Sequence, residues 1–231
     1  MSGIAERMRD IQERIAAAAR KVGRDPASVR LMGVTKTVSA EGVREAYDAG
    51  LRLFGENYVQ EALAKIPQLP PDAEFHMIGH LQSNKAKKVV ETFRALEALD
   101  RPSLAEAVSR AALALGTRFP VLLEVNLGDE ESKAGCSPDE AVELARRAGE
   151  WPGIAVRGLM ALPPYLADPE EVRPHFRALR ELAAKIAALE LPGVAMEELS
   201  MGMSHDFAAA VEEGSTIVRV GTALFGERKY Q

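Results

Sequence analysis

The sequence predicts a (β/α)8 barrel of the TIM type with one extra helix at its N-terminus. Three observations carry the prediction. Eight short apolar runs alternate with helical patterns along the chain, as repeated strand–helix units require. No low-complexity stretch or long linker divides the 231 residues, so residues 1–231 read as a single domain. Neither a Gly-x-Gly-x-x-Gly turn after the first strand nor a P-loop is present, which argues against a doubly wound open sheet.

The units follow in order. Ile4, Met8, Ile11, Ile15 and Val22 fall at helical spacing, so residues 2–21 form a helix lying on the body of the protein, ended by Gly23. The apolar run from Val29 ends at Lys36, and a helix follows from about Ser39 to Ala49, closed by Gly50. Residues 51–55 are the second strand and 57–66 its helix. Residues 74–79 are the third strand, and Ser83 caps a helix running to about Glu91. Residues 94–99 form the fourth strand, with a helix to Leu115. The fifth strand spans 119–126, and its helix opens with Pro138 in the first turn. The sixth strand is 154–160. A loop with Pro163-Pro164 follows, then a helix over about 170–189. Residues 196–200 are the seventh strand, a helix runs from about Ser204 to Glu213, and 216–220 are the eighth strand.

Composition excludes several function classes. The chain is 47% hydrophobic with a formal net charge of -5, which disfavours nucleic acid as the main partner. No apolar run approaches the roughly 20 residues of a membrane span. The charged N-terminus lacks the apolar core of a secretory signal. One cysteine, Cys136, rules out an internal disulfide framework and a Cys-rich zinc site, and no metal site is expected. Cys136 reads as a loop thiol, and the pattern fits a reducing cytoplasm.

In a barrel the residues just past each strand share one mouth. Lys36 follows the first strand, a position that also suits a solvated loop lysine. Asn57 follows the second strand, and His80 the third, with Asn84 a turn later. Ser200, Gly202 and Ser204 follow the seventh; Gly221 and Thr222 follow the eighth. Glycines and hydroxyls at the last two strands suit a phosphate cup, because backbone N–H groups can approach the anion and Ser or Thr adds donors. A flexible turn with Ser204 as an N-cap is the plainer alternative. An amine facing a phosphate site suits a phosphorylated carbonyl compound bound as a Schiff base, either a sugar phosphate or pyridoxal 5'-phosphate (PLP). Arg219, inside the eighth strand, needs an acceptor. A pyridine nitrogen is one, and a salt bridge to Glu124 or Glu198 is the other.

The residues that match a known family are Val34-Thr-Lys-Thr37, Phe54-Gly-Glu-Asn-Tyr-Val-Gln-Glu61, His76-Met-Ile-Gly-His-Leu-Gln-Ser-Asn-Lys85, Ser132-Lys-Ala-Gly135 and Arg157-Gly-Leu-Met-Ala161. Near the C-terminus Leu199-Ser-Met-Gly-Met-Ser-His-Asp-Phe207 and Val218-Arg-Val-Gly-Thr-Ala-Leu-Phe-Gly226 add to them. With these the chain resembles the PLP homeostasis proteins, single barrels related to the N-terminal domain of alanine racemase. The resemblance implies that Lys36 carries PLP as a Schiff base and that Arg219 faces the pyridine nitrogen. It implies that Ser200, Ser204, Gly221 and Thr222 hold the phosphate, with Asn57 and Asn84 lining the ring or its approach. His205 departs from the acidic or small residue expected there and lies outside the expected contacts.

An arginine beside the pyridine nitrogen makes the ring a poorer electron sink. No tyrosine is an evident second base: Tyr47 and Tyr58 fall on helices, Tyr165 in a long loop and Tyr230 at the terminus. The second domain that carries this base in alanine racemase is not expected here. The leading expectation is a carrier without strong catalytic activity, acting in intracellular PLP homeostasis and supplying PLP-dependent apo-enzymes, as a monomer or weak dimer. An amino-acid racemase-like enzyme and a cofactor-free aldolase-like barrel are the alternatives.

Overall fold

The structure, a computed structural model, describes residues 3–128 and 134–226. Ser132, Lys133 and Tyr230 therefore lie outside the described residues. Eight parallel strands close on themselves in sequence order: β1 (Arg30–Val34), β2 (Leu53–Glu56), β3 (Glu74–Met77), β4 (Ala95–Leu99), β5 (Phe119–Val125), β6 (Ile154–Ala161), β7 (Val194–Ser200) and β8 (Ile217–Val220). Closure is made by β1 against β8, with Met32 beside Arg219 and Gly33 beside Val220. The expected barrel is thus borne out.

The outer ring is α2 (Ala40–Asp48), α3 (Val59–Lys65), α4 (Ala86–Thr92), α5 (Pro102–Ala114), α6 (Pro138–Arg146), α7 (Pro169–Ala187) and α8 (Phe207–Glu212). Their apolar faces meet the outside of the sheet in the main core, where Phe54, Phe176, Phe207 and Leu104 are fully buried. The barrel lumen has a smaller cluster of its own, Met32, Leu53, Ile78 and Ile217, with Val34 against it. Helix α1 (Ile4–Lys21) buries Ile4, Met8, Ile11 and Ile15. It is tied down by Arg7 Nε donating to Leu224 O at 2.6 Å and by the Arg14 guanidinium 4.4 Å above the Phe207 ring.

Several boundaries differ from the sequence reading. Ser83 does not cap α4: residues 83–85 form one tight 3-10 turn, with no side-chain cap, before α4 starts at Ala86. The helix expected from Ser204 begins at Phe207, so Ser204 is left in the preceding turn. A four-residue helix, α9 (Thr222–Phe225), follows β8 unforeseen. Cys136 is buried: its thiol donates to Glu124 O at 3.3 Å, and burial pushes it up to about 12.

Two glycines have a steric reason. At Gly158 a Cβ would lie 1.8 Å from the Glu198 carbonyl oxygen, so β6 and β7 approach only without one. Gly202 has φ +93°, and its Cβ would meet Ala210 at 2.5 Å. It turns the chain out of β7 beside the thinnest seam of the barrel, where the β7–β8 register has the single pair Ser200–Ile217.

Candidate functional site

A cavity of about 280 Å³ opens at the C-terminal ends of the strands. Lys36, Asn57, Ser204, Arg219, Gly221 and Thr222 line it, so six of the eight expected site residues meet at one cavity. Val34, Ile78, Leu162 and Met203 supply apolar surface.

Arg219 is 3% exposed and sits in β8 with its guanidinium fixed by two hydrogen bonds. Nη1 donates to Ser200 Oγ at 2.6 Å and Nη2 to Ala161 O at 2.7 Å. The salt bridge to Glu124 or Glu198 does not form. Behind Ser200 the network continues: its hydroxyl donates to Glu97 Oε2 at 2.5 Å, and Glu97 Oε1 is 2.7 Å from His76 Nδ1. Burial pushes the Glu97 carboxyl up. The hydrogen bond and charge of His76, with Arg219 and Ser200, outweigh that and hold it below its ordinary value. Burial likewise lowers Arg219, against the charges of Glu97, Glu124 and Asp206.

Ser200 therefore does not line the cavity. It is fully buried and spends its hydroxyl between Glu97 and Arg219. Asn84 is exposed on the 3-10 turn before α4, also away from the cavity wall.

Across the mouth, Ser204 gathers three donors. Gly221 N–H points to its Oγ at 3.3 Å, Ala223 N–H at 3.4 Å, and Thr222 Oγ1 lies 3.4 Å away. These contacts are long for hydrogen bonds, so a stronger acceptor could take over the amides. Asn57 Oδ1 is buried beside the cavity with no hydrogen-bond partner among the described residues, a cost that a donor on a ligand would remove. Amine, fixed cation, orphaned acceptor and converging amides fit a flat, phosphorylated, aldehyde-bearing ring, and the apolar wall suits its faces.

Lys36 is half-buried in the turn after β1. Its neighbour Thr37 has φ +63°, a region that β-branched residues avoid.

Several wall residues were missed by sequence reasoning. Tyr165 and His205, with ring centroids 5.2 Å apart, both line the cavity. His205 is thus part of the cavity lining. Asp206 lines it too, its carboxyl raised by burial while accepting from Met203 N–H at 2.6 Å. Their positions inside the Ser200–Phe207 motif were the available signal for His205 and Asp206; Tyr165 offered none beyond its loop. Among the described residues no His/Cys/Asp/Glu cluster could hold a metal ion, and no helix is long and apolar enough to cross a membrane.

Comparison with known proteins identifies the family. The chain is 47% identical over 226 residues to the pyridoxal phosphate homeostasis protein of Aquifex aeolicus, covering 97% of this chain and 98% of the relative. It is 41% identical over 234 residues to that of Escherichia coli K12, covering 100% and 99%. The structure of PipY from Synechococcus elongatus with PLP bound superposes with a TM-score of 0.84 at 39% identity, covering 96% of this chain and 100% of that one. Alanine racemase from Streptomyces coelicolor shares the fold, with a TM-score of 0.68 at 23% identity over 95% of this chain and 58% of that one. Residues 7–229 match the family described as alanine racemase, N-terminal domain. On this match and these identities, the chain belongs to the alanine racemase N-terminal domain family and, within it, to the pyridoxal phosphate homeostasis proteins.

Proposed function

We propose that the protein binds PLP in this cavity, attaches it reversibly through Lys36 and holds it as a carrier for the cell's PLP pool. The observation that carries the reading is the single cavity lined by Lys36, Arg219 and the Ser204–Gly221–Thr222 corner. In this reading the Gly221 and Ala223 amides, with Ser204 and Thr222, hold the phosphate. Asn57 Oδ1 accepts from a ring substituent. Arg219, buried and pinned by Ser200 and Ala161, presents a fixed cation to the ring nitrogen. Ser200 positions Arg219 and does not touch phosphate, and Asn84 has no part in the site. When bound, the group supplies an aldehyde and an electron-withdrawing ring.

Holding is favoured over turnover because a permanently protonated guanidinium gives the ring nitrogen no proton of ordinary acidity. The reading treats residues 1–231 as one PLP-binding domain working in the cytoplasm, with PLP-dependent apo-enzymes as recipients. One observation favours a second reading, a racemase-like enzyme: Tyr165 places a phenol in the wall that holds Lys36. It is also 74% exposed, which suits a rim residue better than a base shielded from water. Incubating PLP-loaded protein with amino acids in deuterated water separates the two. The carrier reading predicts α-proton exchange no faster than with free PLP. Exchange well above that rate, and lost in Tyr165→Phe, would establish the enzyme instead.

A further inference from the structure

The turn that bears Lys36 is held from outside the cavity by α3. Thr35 is fully buried; its N–H donates to Gly55 O at 2.9 Å and its hydroxyl to Glu56 Oε1 at 2.7 Å. Lys65, 8% exposed, reaches the same place. Its Nζ donates to Thr35 O at 2.7 Å and to Glu56 Oε1 at 2.9 Å. On the other side of Lys36, the N–H of Thr37 donates to Glu61 Oε2 at 3.0 Å. That carboxylate oxygen also lies 3.4 Å from Lys65 Nζ. The two peptide groups flanking Lys36 thus end on one side-chain cluster, one through its carbonyl on Lys65 and the other through its N–H on Glu61.

The left-handed backbone of Thr37 gives this arrangement a purpose. A β-branched residue keeps φ +63° only where its surroundings impose it. Glu61 and Lys65 impose it, and neither lines the cavity. Building on the reading that Lys36 carries PLP, we propose that Glu61 and Lys65 are positioning residues that clamp the turn and hold the Lys36 amine in line with the cofactor's aldehyde. Attachment joins the lysine nitrogen to the aldehyde carbon and releases the aldehyde oxygen as water, both hydrogens coming from the neutral amine. No oxidant or reductant is needed. The clamp acts on the geometry of approach and leaves the phosphate and ring contacts alone.

The test compares two ligands on the full chain. PLP can attach; pyridoxine 5'-phosphate has the same ring and phosphate but an alcohol in place of the aldehyde, so it only binds. Lys65→Met strands Glu56 in the interior and risks misfolding, so the Glu61 variants, changed at a side chain 34% exposed, carry the test. Glu61→Ala is expected to slow PLP attachment roughly tenfold or more, with pyridoxine 5'-phosphate affinity within about twofold of the unaltered chain. Glu61→Gln keeps an acceptor for the Thr37 N–H and should recover most of the rate. An unchanged attachment rate in Glu61→Ala overturns the proposal. So does a proportional loss of attachment and pyridoxine 5'-phosphate binding, which would mark a merely structural role. If the unaltered chain attaches PLP at a lysine other than Lys36, the functional reading fails and the clamp with it; normal attachment at Lys36 with an indifferent Glu61→Ala removes the clamp alone.

Discussion

The two cations of the cavity are held in opposite ways. Arg219 lies inside a strand, fully enclosed, and is fixed at its guanidinium, by the Ala161 carbonyl and by a side-chain relay of Ser200, Glu97 and His76 from β7, β4 and β3. Lys36 lies beyond its strand on a strained turn and is fixed through its backbone by residues of α3. The permanent charge is built into the core that folds the barrel. In the proposed reading, the group that makes and breaks a bond sits on a turn where the Glu61 part of its support can change without unfolding the sheet. Arg219's support is therefore coupled to stability, and the Glu61 contact beside Lys36, in the proposed reading, to chemistry.

The largest effect that sharpens this contrast comes from Glu97→Ala. It leaves Arg219 and His76 facing an uncompensated gap in the interior, at a cost of about 3–5 kcal/mol. Urea unfolding of the cofactor-free protein checks this. Glu61→Ala, at a half-exposed ion pair, should cost below about 1 kcal/mol in the same assay. Equal losses at the two sites would break the comparison.

A smaller effect concerns the polar side of the lumen. Glu124 is 3% exposed with Oε2 unpartnered, and burial and Asp100 raise its carboxyl to about 7, against the pull of Arg219. The folded chain keeps a proton there that the unfolded chain releases near the ordinary carboxylate value of 4.5. Its contribution to stability is full below 4.5 and is lost as pH rises through about 7. Glu124→Gln stays neutral throughout. It should flatten the pH dependence of stability across that window, raising stability at pH 8 by up to about 3 kcal/mol. An unaltered slope would show that another group dominates the titration.

The barrel was legible because its signal is periodic and local: apolar runs, glycine stops and Pro138 each mark an element without reference to distant residues. Lys36, Asn57, Ser204, Arg219, Gly221 and Thr222 were legible because they sit just at or beyond strand ends, which a barrel brings together whatever the side chains do. Ser200 lies off the cavity for a physical reason. It also ends a strand, but its hydroxyl turns into the lumen to Glu97, 103 residues away, and no local pattern shows that pairing. Asn84 lies away from the cavity because residues 83–85 coil into a 3-10 turn and do not follow the strand direction. The Glu61 and Lys65 contacts around Lys36 were equally hidden, since nothing local to the end of α3 shows that Lys65 reaches the Thr35 carbonyl 30 residues away.

The most direct measurement is borohydride reduction of the PLP-loaded protein followed by peptide mass mapping. The expected result is one reduced PLP adduct, on Lys36, and none after Lys36→Ala, while Lys36→Ala still binds pyridoxine 5'-phosphate at the Ser204–Gly221–Thr222 corner. An adduct on another lysine, or loss of pyridoxine 5'-phosphate binding in a folded Lys36→Ala, would contradict it.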